Sequence, residues 1–146
     1  MSTRGTVTVR EDGAVLGRFY HHMDSYPDGL GRELAEFIES GRFVNGIGLG
    51  SGGLTQFNGA GCFAAALIAK LKDGPGGVYM IAKSQVEEYN YTIDIVDHSP
   101  GPEIGKLRAN VPPVVSITVR AGRKEVFKGT ARQLLEWLKT PADKEA

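Results

Sequence analysis

The sequence predicts an α+β fold: an antiparallel sheet of about six strands built from hairpins, with three helices. Three observations predict it. Two β-branched runs flank Asp12-Gly13, a dipeptide that favours a tight hairpin. Period-two segments come in adjacent pairs, and helical-period segments come in blocks between them. Strands grouped with strands belong to α+β rather than to an alternating β-α-β chain.

Taken in order, Thr6 to Arg10 alternates β-branched residues and predicts a strand. Glu11-Asp12-Gly13 turns the chain, and Ala14 to His22 returns as the second strand. Met23 to Gly29 is a connecting loop in which Pro27 disfavours helix at Tyr26 and suits a helix start soon after. Leu30, Leu34, Phe37 and Ile38 recur at helical spacing, so a helix is predicted from Gly29 to Glu39. Its polar face carries Arg32, Glu33, Glu36 and Glu39, and Gly41 stands at its end. Phe43-Val44 leads into a glycine-rich stretch. A second helix follows from Gly59 or Ala60 to Lys72, with Phe63, Leu67, Ile68 and Leu71 as its apolar stripe.

Asp73 to Gly77 is a turn. Val78–Ile81 and Tyr89–Val96 are strands. Asp97 to Pro113 is a long loop with four prolines, of the kind usually reserved for function. Val114–Val119 is a strand, Ala121-Gly122-Arg123 turns it, and Glu125–Phe127 pairs back. Thr130 is placed to cap a last helix, Ala131 to Lys139, whose Leu134, Leu135, Trp137 and Leu138 would cover the sheet. Residues 1–140 are read as one ligand-binding domain and 141–146 as a frayed polar tail.

Composition narrows the function. The chain has 146 residues, 41% hydrophobic and 23% charged, with 17 basic and 17 acidic side chains. A zero formal balance argues against DNA or RNA as partner, since polymer binding normally needs a basic excess. A small anion remains open, because two or three arginines suffice for it. The single cysteine, Cys62, excludes an internal disulfide and a cysteine-rich zinc site and fits a reducing compartment. No stretch reads as a signal peptide or a membrane span, so the expected location is cytoplasmic.

The stretch Asn45–Gly61 stands out. Seven of the sixteen residues from Gly46 to Gly61 are glycine, which costs backbone entropy and calls for positive φ, close approach or bare N–H groups. Ile47, Leu49, Leu54 and Phe57 within it argue against a plain linker. Gly48 to Gly53 spells G-x-G-x-x-G, but Leu54–Asn58 separates it from the helix, and the candidate acid for a dinucleotide fold, Asp73, sits in a turn. No Gly-Lys-Ser/Thr follows for a phosphate loop, and Leu49 breaks G-x-S-x-G at Ser51. His21, His22 and Asp24 hold metal-ligating groups, yet neighbours on a strand point to opposite faces, so they read as structural. Cys62 reads as a small buried residue of its helix. Tyr79, Tyr89 and Tyr91 offer rings to stack a base, and Asn90 an amide to pair with its edge, against the plainer reading of sheet filling. Arg108, beside Lys106 in the long loop, could close over a phosphate.

These residues fit a longer pattern. Thr3-Arg4-Gly5, His22-Met23-Asp24-Ser25-Tyr26-Pro27-Asp28-Gly29-Leu30-Gly31-Arg32-Glu33-Leu34-Ala35-Glu36-Phe37, Val44-Asn45-Gly46, Asn58-Gly59-Ala60-Gly61-Cys62, Gly76-Gly77-Val78-Tyr79 and Glu88-Tyr89-Asn90-Tyr91 all take part. Over about residues 3 to 95 the chain resembles the first family of Thoeris anti-defence proteins of phages. The resemblance implies a signal sponge. Such proteins bind the glycocyclic ADP-ribose made by an activated bacterial TIR protein, and some bind cyclic oligonucleotides. They do not cleave the signal, and they are oligomers with pockets between subunits.

On that footing the expected ligand-binding residues are Asn45, Gly46, Phe57, Asn58, Tyr79, Met80, Tyr89, Asn90, Tyr91 and Arg108. No catalytic residue, metal or cofactor is expected. The expected assembly is a homo-oligomer, a dimer or a trimer of dimers, in the cytoplasm of the infected host. Ser25, Phe57 and Phe63 depart from the family pattern, which bears on ligand choice. The alternatives are a nucleotide-processing enzyme using His21, His22, Asp24 or Glu88, and a structural protein in which the glycine run only packs.

Overall fold

A computed structural model describes residues 3–44, 55–96 and 113–140. The first hairpin forms as its turn chemistry requires. Strand β1 (Gly5–Glu11) pairs antiparallel with β2 (Ala14–His21), and Asp12 and Gly13 both take positive φ, 48° and 86°, as a type I′ turn demands. The last hairpin, β7 (Val114–Ala121) with β8 (Lys124–Gly129), turns on Gly122 at φ 61°.

With β5 (Val78–Met80) and β6 (Tyr89–Val96) these strands form one six-stranded sheet in the order β5-β2-β1-β6-β7-β8. All six expected strands are in it. It departs from the expectation at one seam: β1 and β6 run parallel, joined in register from Gly5↔Tyr89 to Glu11↔Ile95. The chain between them carries two helices, and such a crossover is what a parallel pair requires. β3 (Gly41–Val44) and β4 (Thr55–Asn58) form a further parallel pair, with Phe43 opposite Phe57. Four-residue strands beside a glycine run are too short to show a period, so these two were not expected.

The first helix opens earlier than its apolar spacing suggested. Pro27–Gly31 is a π-helical turn with Pro27 at its start, and α1 proper is Arg32–Glu39. α2 is Gly59–Leu71 and α3 is Ala131–Trp137. Thr130 caps α3 through a reciprocal box: its hydroxyl accepts from the Gln133 N–H at 3.1 Å, and the Gln133 side chain accepts from the Thr130 N–H at 2.8 Å.

Period two then sorts the sheet into two unlike faces. Val7, Val9, Phe19, Ile93, Ile95, Ile117 and Val119 point to one side and are buried with Leu34, Ile38, Leu67, Leu134 and Leu138 of the helices. Phe37, Phe43, Phe57 and Phe63 close the core under α1 and α2, with ring centroids 5.1–5.7 Å apart. Cys62 is exposed rather than buried, because α2 buries the stripe Ala60, Phe63, Leu67 and turns its neighbour outward. The opposite face of the sheet is built from Thr6, Thr8, Arg10, Arg18, Tyr20, Tyr79, Asn90, Thr92, Asp94, Thr118 and Arg120, which are mutual neighbours in the strand registers.

Candidate functional site

That polar face holds the candidate site. One row across the sheet reads Tyr79, Tyr20, Thr6, Asn90, Arg120, and the next reads Arg18, Thr8, Thr92, Thr118, Lys128. Over them passes the segment 81–88, and between segment and sheet lies a cavity of about 320 Å³. It is lined by Thr6, Thr8, Asn90, Tyr91 and Thr92 of the sheet, by Arg18, Arg120 and Arg123, and by Ser84, Gln85 and Val86 from the segment above.

The electrostatics are one-sided. Asp94 is held by Arg10 in a two-pronged pair, Nε to Oδ1 at 2.6 Å and Nη2 to Oδ2 at 2.8 Å, and Glu125, opposite Arg120 in the strand register, is exposed. That contact raises the Arg10 pKa further, against the opposing effect of burial. Arg18, Arg120 and Arg123 form no ion pair with any of the described residues. Arg120 Nη1 donates to the Thr92 hydroxyl at 3.2 Å, and Arg18 Nη1 donates to the Ala82 carbonyl at 3.3 Å. Three guanidiniums thus edge a floor of hydroxyls, a donor set suited to phosphate and sugar oxygens.

Asn90 builds the site rather than lining it passively. Its Oδ1 accepts from the Thr6 hydroxyl at 2.7 Å and from the Glu87 N–H at 3.0 Å. Its Nδ2 donates to the Glu87 and Gly122 carbonyls at 2.9 and 2.8 Å. Both ends of the amide are engaged, and they tie the overlying segment to the sheet.

Beside this cavity lies a second of about 330 Å³, lined by Arg4, Tyr20, Tyr79, Ile81, Gln85 and Glu87. A larger hollow of about 690 Å³ between α1 and α2 is lined by Glu33, Glu36, Asp73 and Lys70 with Phe37, Ser40 and Leu71. Its three acids against one lysine disfavour an anion.

The expected site residues fall into five places. Asn45, Gly46 and Arg108 lie outside the described residues. Tyr79 and Asn90 share the polar face. Met80, Tyr89 and Tyr91 point to the helix side, since residues alternate along a strand; Met80 is exposed there, whereas Tyr91 is 1% exposed. Phe57 is fully buried in the phenylalanine cluster, and Asn58 is exposed at the start of α2. Tyr91 also borders the cavity beside Asn90, but its ring is buried and its hydroxyl is held by Ser25, while Tyr89 packs against the core and Phe57 is a core residue.

Burial pushes the Tyr91 phenol well above its ordinary pKa, and its hydroxyl donates to the Ser25 carbonyl at 2.6 Å. The Asp24–Gly31 motif packs around this contact. A side chain on Gly31 would come 3.3 Å from the Tyr91 ring, and one on Gly29 would collide with the Asp24 carbonyl. His21 and His22 separate as their alternation requires: His21 Nδ1 meets Ser25 Oγ at 2.9 Å and His22 Nδ1 meets Tyr20 OH at 2.8 Å. Among the described residues no group of three or more His, Cys, Asp or Glu is placed to hold a metal ion. No helix in them is long and apolar enough to cross a membrane.

Arg18, Arg120, Arg123 and the threonines were missed by sequence reasoning. The signal available was the register itself: Thr6 and Thr8 alternate with Val7 and Val9, and Thr92 with Ile93, so these hydroxyls had to share a face. Comparison with protein-family models, with curated proteins and with solved structures gave no match.

Proposed function

We propose that this chain binds and sequesters a cyclic nucleotide-like immune signal, glycocyclic ADP-ribose or a cyclic oligonucleotide, without cleaving it. In this reading it is a phage anti-defence protein acting in the cytoplasm of the infected bacterium. The observation that carries the proposal is the trio Arg18, Arg120 and Arg123 over the threonine floor. Linked phosphates and riboses present the complementary acceptors and hydroxyls. Charge-assisted hydrogen bonds of this kind contribute about 1.5–3 kcal/mol each. The resemblance over residues 3 to 95 supports the same ligand class. Arg108 keeps its proposed part as a further phosphate contact.

The protein is also proposed to act as a homo-oligomer, a dimer or a trimer of dimers. Exposed Val15, Leu16, Met23, Tyr26 and Met80 support this, being apolar side chains available to a second subunit. Light scattering at micromolar concentration checks it; a sole species of 15.7 kDa refutes it.

The function is tested by incubating the purified protein with glycocyclic ADP-ribose, removing unbound ligand, heating, and identifying what is released by mass spectrometry. Intact ligand is expected, with little retained by Arg120→Ala. Release of a cleaved product would make the protein an enzyme. Retention of nothing would leave it a structural protein.

A further inference from the structure

The two cavities on the polar face share a wall. Ile81 and Gln85 of the overlying segment line both of them. On one side stand the three arginines. On the other stand Tyr20 and Tyr79, with Arg4 and Glu87 of opposite charge, so the lining of that side carries no net charge.

Tyr79 is unusual for a sheet residue. It is 53% exposed, yet it is held from two directions. The Tyr20 ring lies 6.2 Å away, centroid to centroid, and the Lys72 ammonium sits 5.5 Å from the Tyr79 ring centroid. Lys72 is itself fixed by the Gly76 and Val78 carbonyls at 2.8 and 3.0 Å. Tyr20 is fixed by the hydrogen bond between its hydroxyl and His22. An aromatic surface already held in place loses little conformational freedom when a flat ring stacks on it.

The spacing between the compartments is also set. Tyr79 faces Tyr20 across one strand, and Arg18 lies two residues from Tyr20 on the same face. One strand spacing and two residues place the Cα atoms of Tyr79 and Arg18 about 8 Å apart. A single sugar bridges a comparable gap between a base and its 5′-phosphate.

We infer that the ligand occupies both compartments, its base against Tyr79 and its phosphates between Arg18, Arg120 and Arg123, with Gln85 and Ile81 over the sugar. This rests on the reading of the polar face as a nucleotide site and adds to it a selection: an anion without a flat ring fills only half the site.

Titration calorimetry with ADP-ribose and with inorganic pyrophosphate tests this on the full chain. The parent protein is expected to bind ADP-ribose about tenfold or more tighter than pyrophosphate, the scale of one stacked base. Tyr79→Ala should abolish that margin and leave pyrophosphate binding unchanged. Tyr79→Phe should keep it, and Arg120→Ala should weaken both ligands. Equal affinity of the parent for the two ligands overturns the inference. So does a Tyr79→Ala protein, folded by its melting curve, that binds ADP-ribose like the parent. Either result, with Arg120→Ala still weakening both ligands, leaves the nucleotide-site reading standing. If neither ligand binds the parent, the two-compartment inference is overturned, and the capture experiment with the cyclic signal decides the broader reading by itself.

Discussion

The Tyr91 hydroxyl donates to the Ser25 carbonyl at 2.6 Å, fastening the loop before α1 to the middle of the sheet. Both partners are buried. Tyr91→Phe removes the donor and leaves a buried carbonyl unpaired, which costs about 1–3 kcal/mol. Denaturant unfolding should show that loss, while the folded variant keeps the parent's ligand affinity. A fall in affinity at unchanged stability would place Tyr91 in the binding site instead.

Asn90 makes four hydrogen bonds, two of them to Glu87 of the segment over the cavity. Asn90→Ala should lower stability by about 2–3 kcal/mol, from several part-buried bonds of roughly 0.5–1.5 kcal/mol each. Its diagnostic effect is local. Hydrogen exchange of the amides of residues 82–88 should quicken more than that of β6 itself. Uniform quickening over the sheet would mean that Asn90 holds the sheet and not the segment.

His21 supplies a pH dependence. Ser25 Oγ donates its proton to the His21 carbonyl at 3.0 Å, so His21 Nδ1 is the donor to Ser25 Oγ. Burial lowers the His21 pKa, Asp24 opposes the shift, and His22 adds to it. With the folded value below the unfolded one, about 6.5, the unfolded chain binds the proton more readily. Stability is then full above that range and declines as pH falls through it, levelling off below the folded value. Unfolding free energy measured from pH 8 to pH 5 should show this decline, and His21→Gln should flatten it. An unchanged slope in that variant would assign the effect elsewhere.

Phe57 is expected to behave as core. Phe57→Ala opens a cavity among Phe37, Phe43 and Phe63, at a cost of about 3–5 kcal/mol. Phe57→Leu, which keeps most of the volume, should recover most of the stability and bind ligand like the parent. A folded Phe57→Leu protein with lost affinity would return Phe57 to the pocket.

The sequence by itself determined the local elements. Asp12-Gly13 and Gly122 set two turns because few other residues accept positive φ there. Thr130 and Gln133 set the start of α3 because each satisfies a donor of the other's backbone. Alternation and helical spacing named the six strands of the main sheet but not the short pair β3 and β4, and most of the core followed from them. Only the tertiary structure decided the site. Arg18, Asn90, Thr92 and Arg120 come from strands remote in sequence and meet because β1 accepts β6 as a parallel neighbour. Parallel pairing across a long crossover leaves no local signature, since its hydrogen bonds join residues that no turn connects. Alternation along β6 already separated Tyr89 and Tyr91 from Asn90, and the packing of the helices against one face decided that the tyrosines turn inward and Asn90 outward.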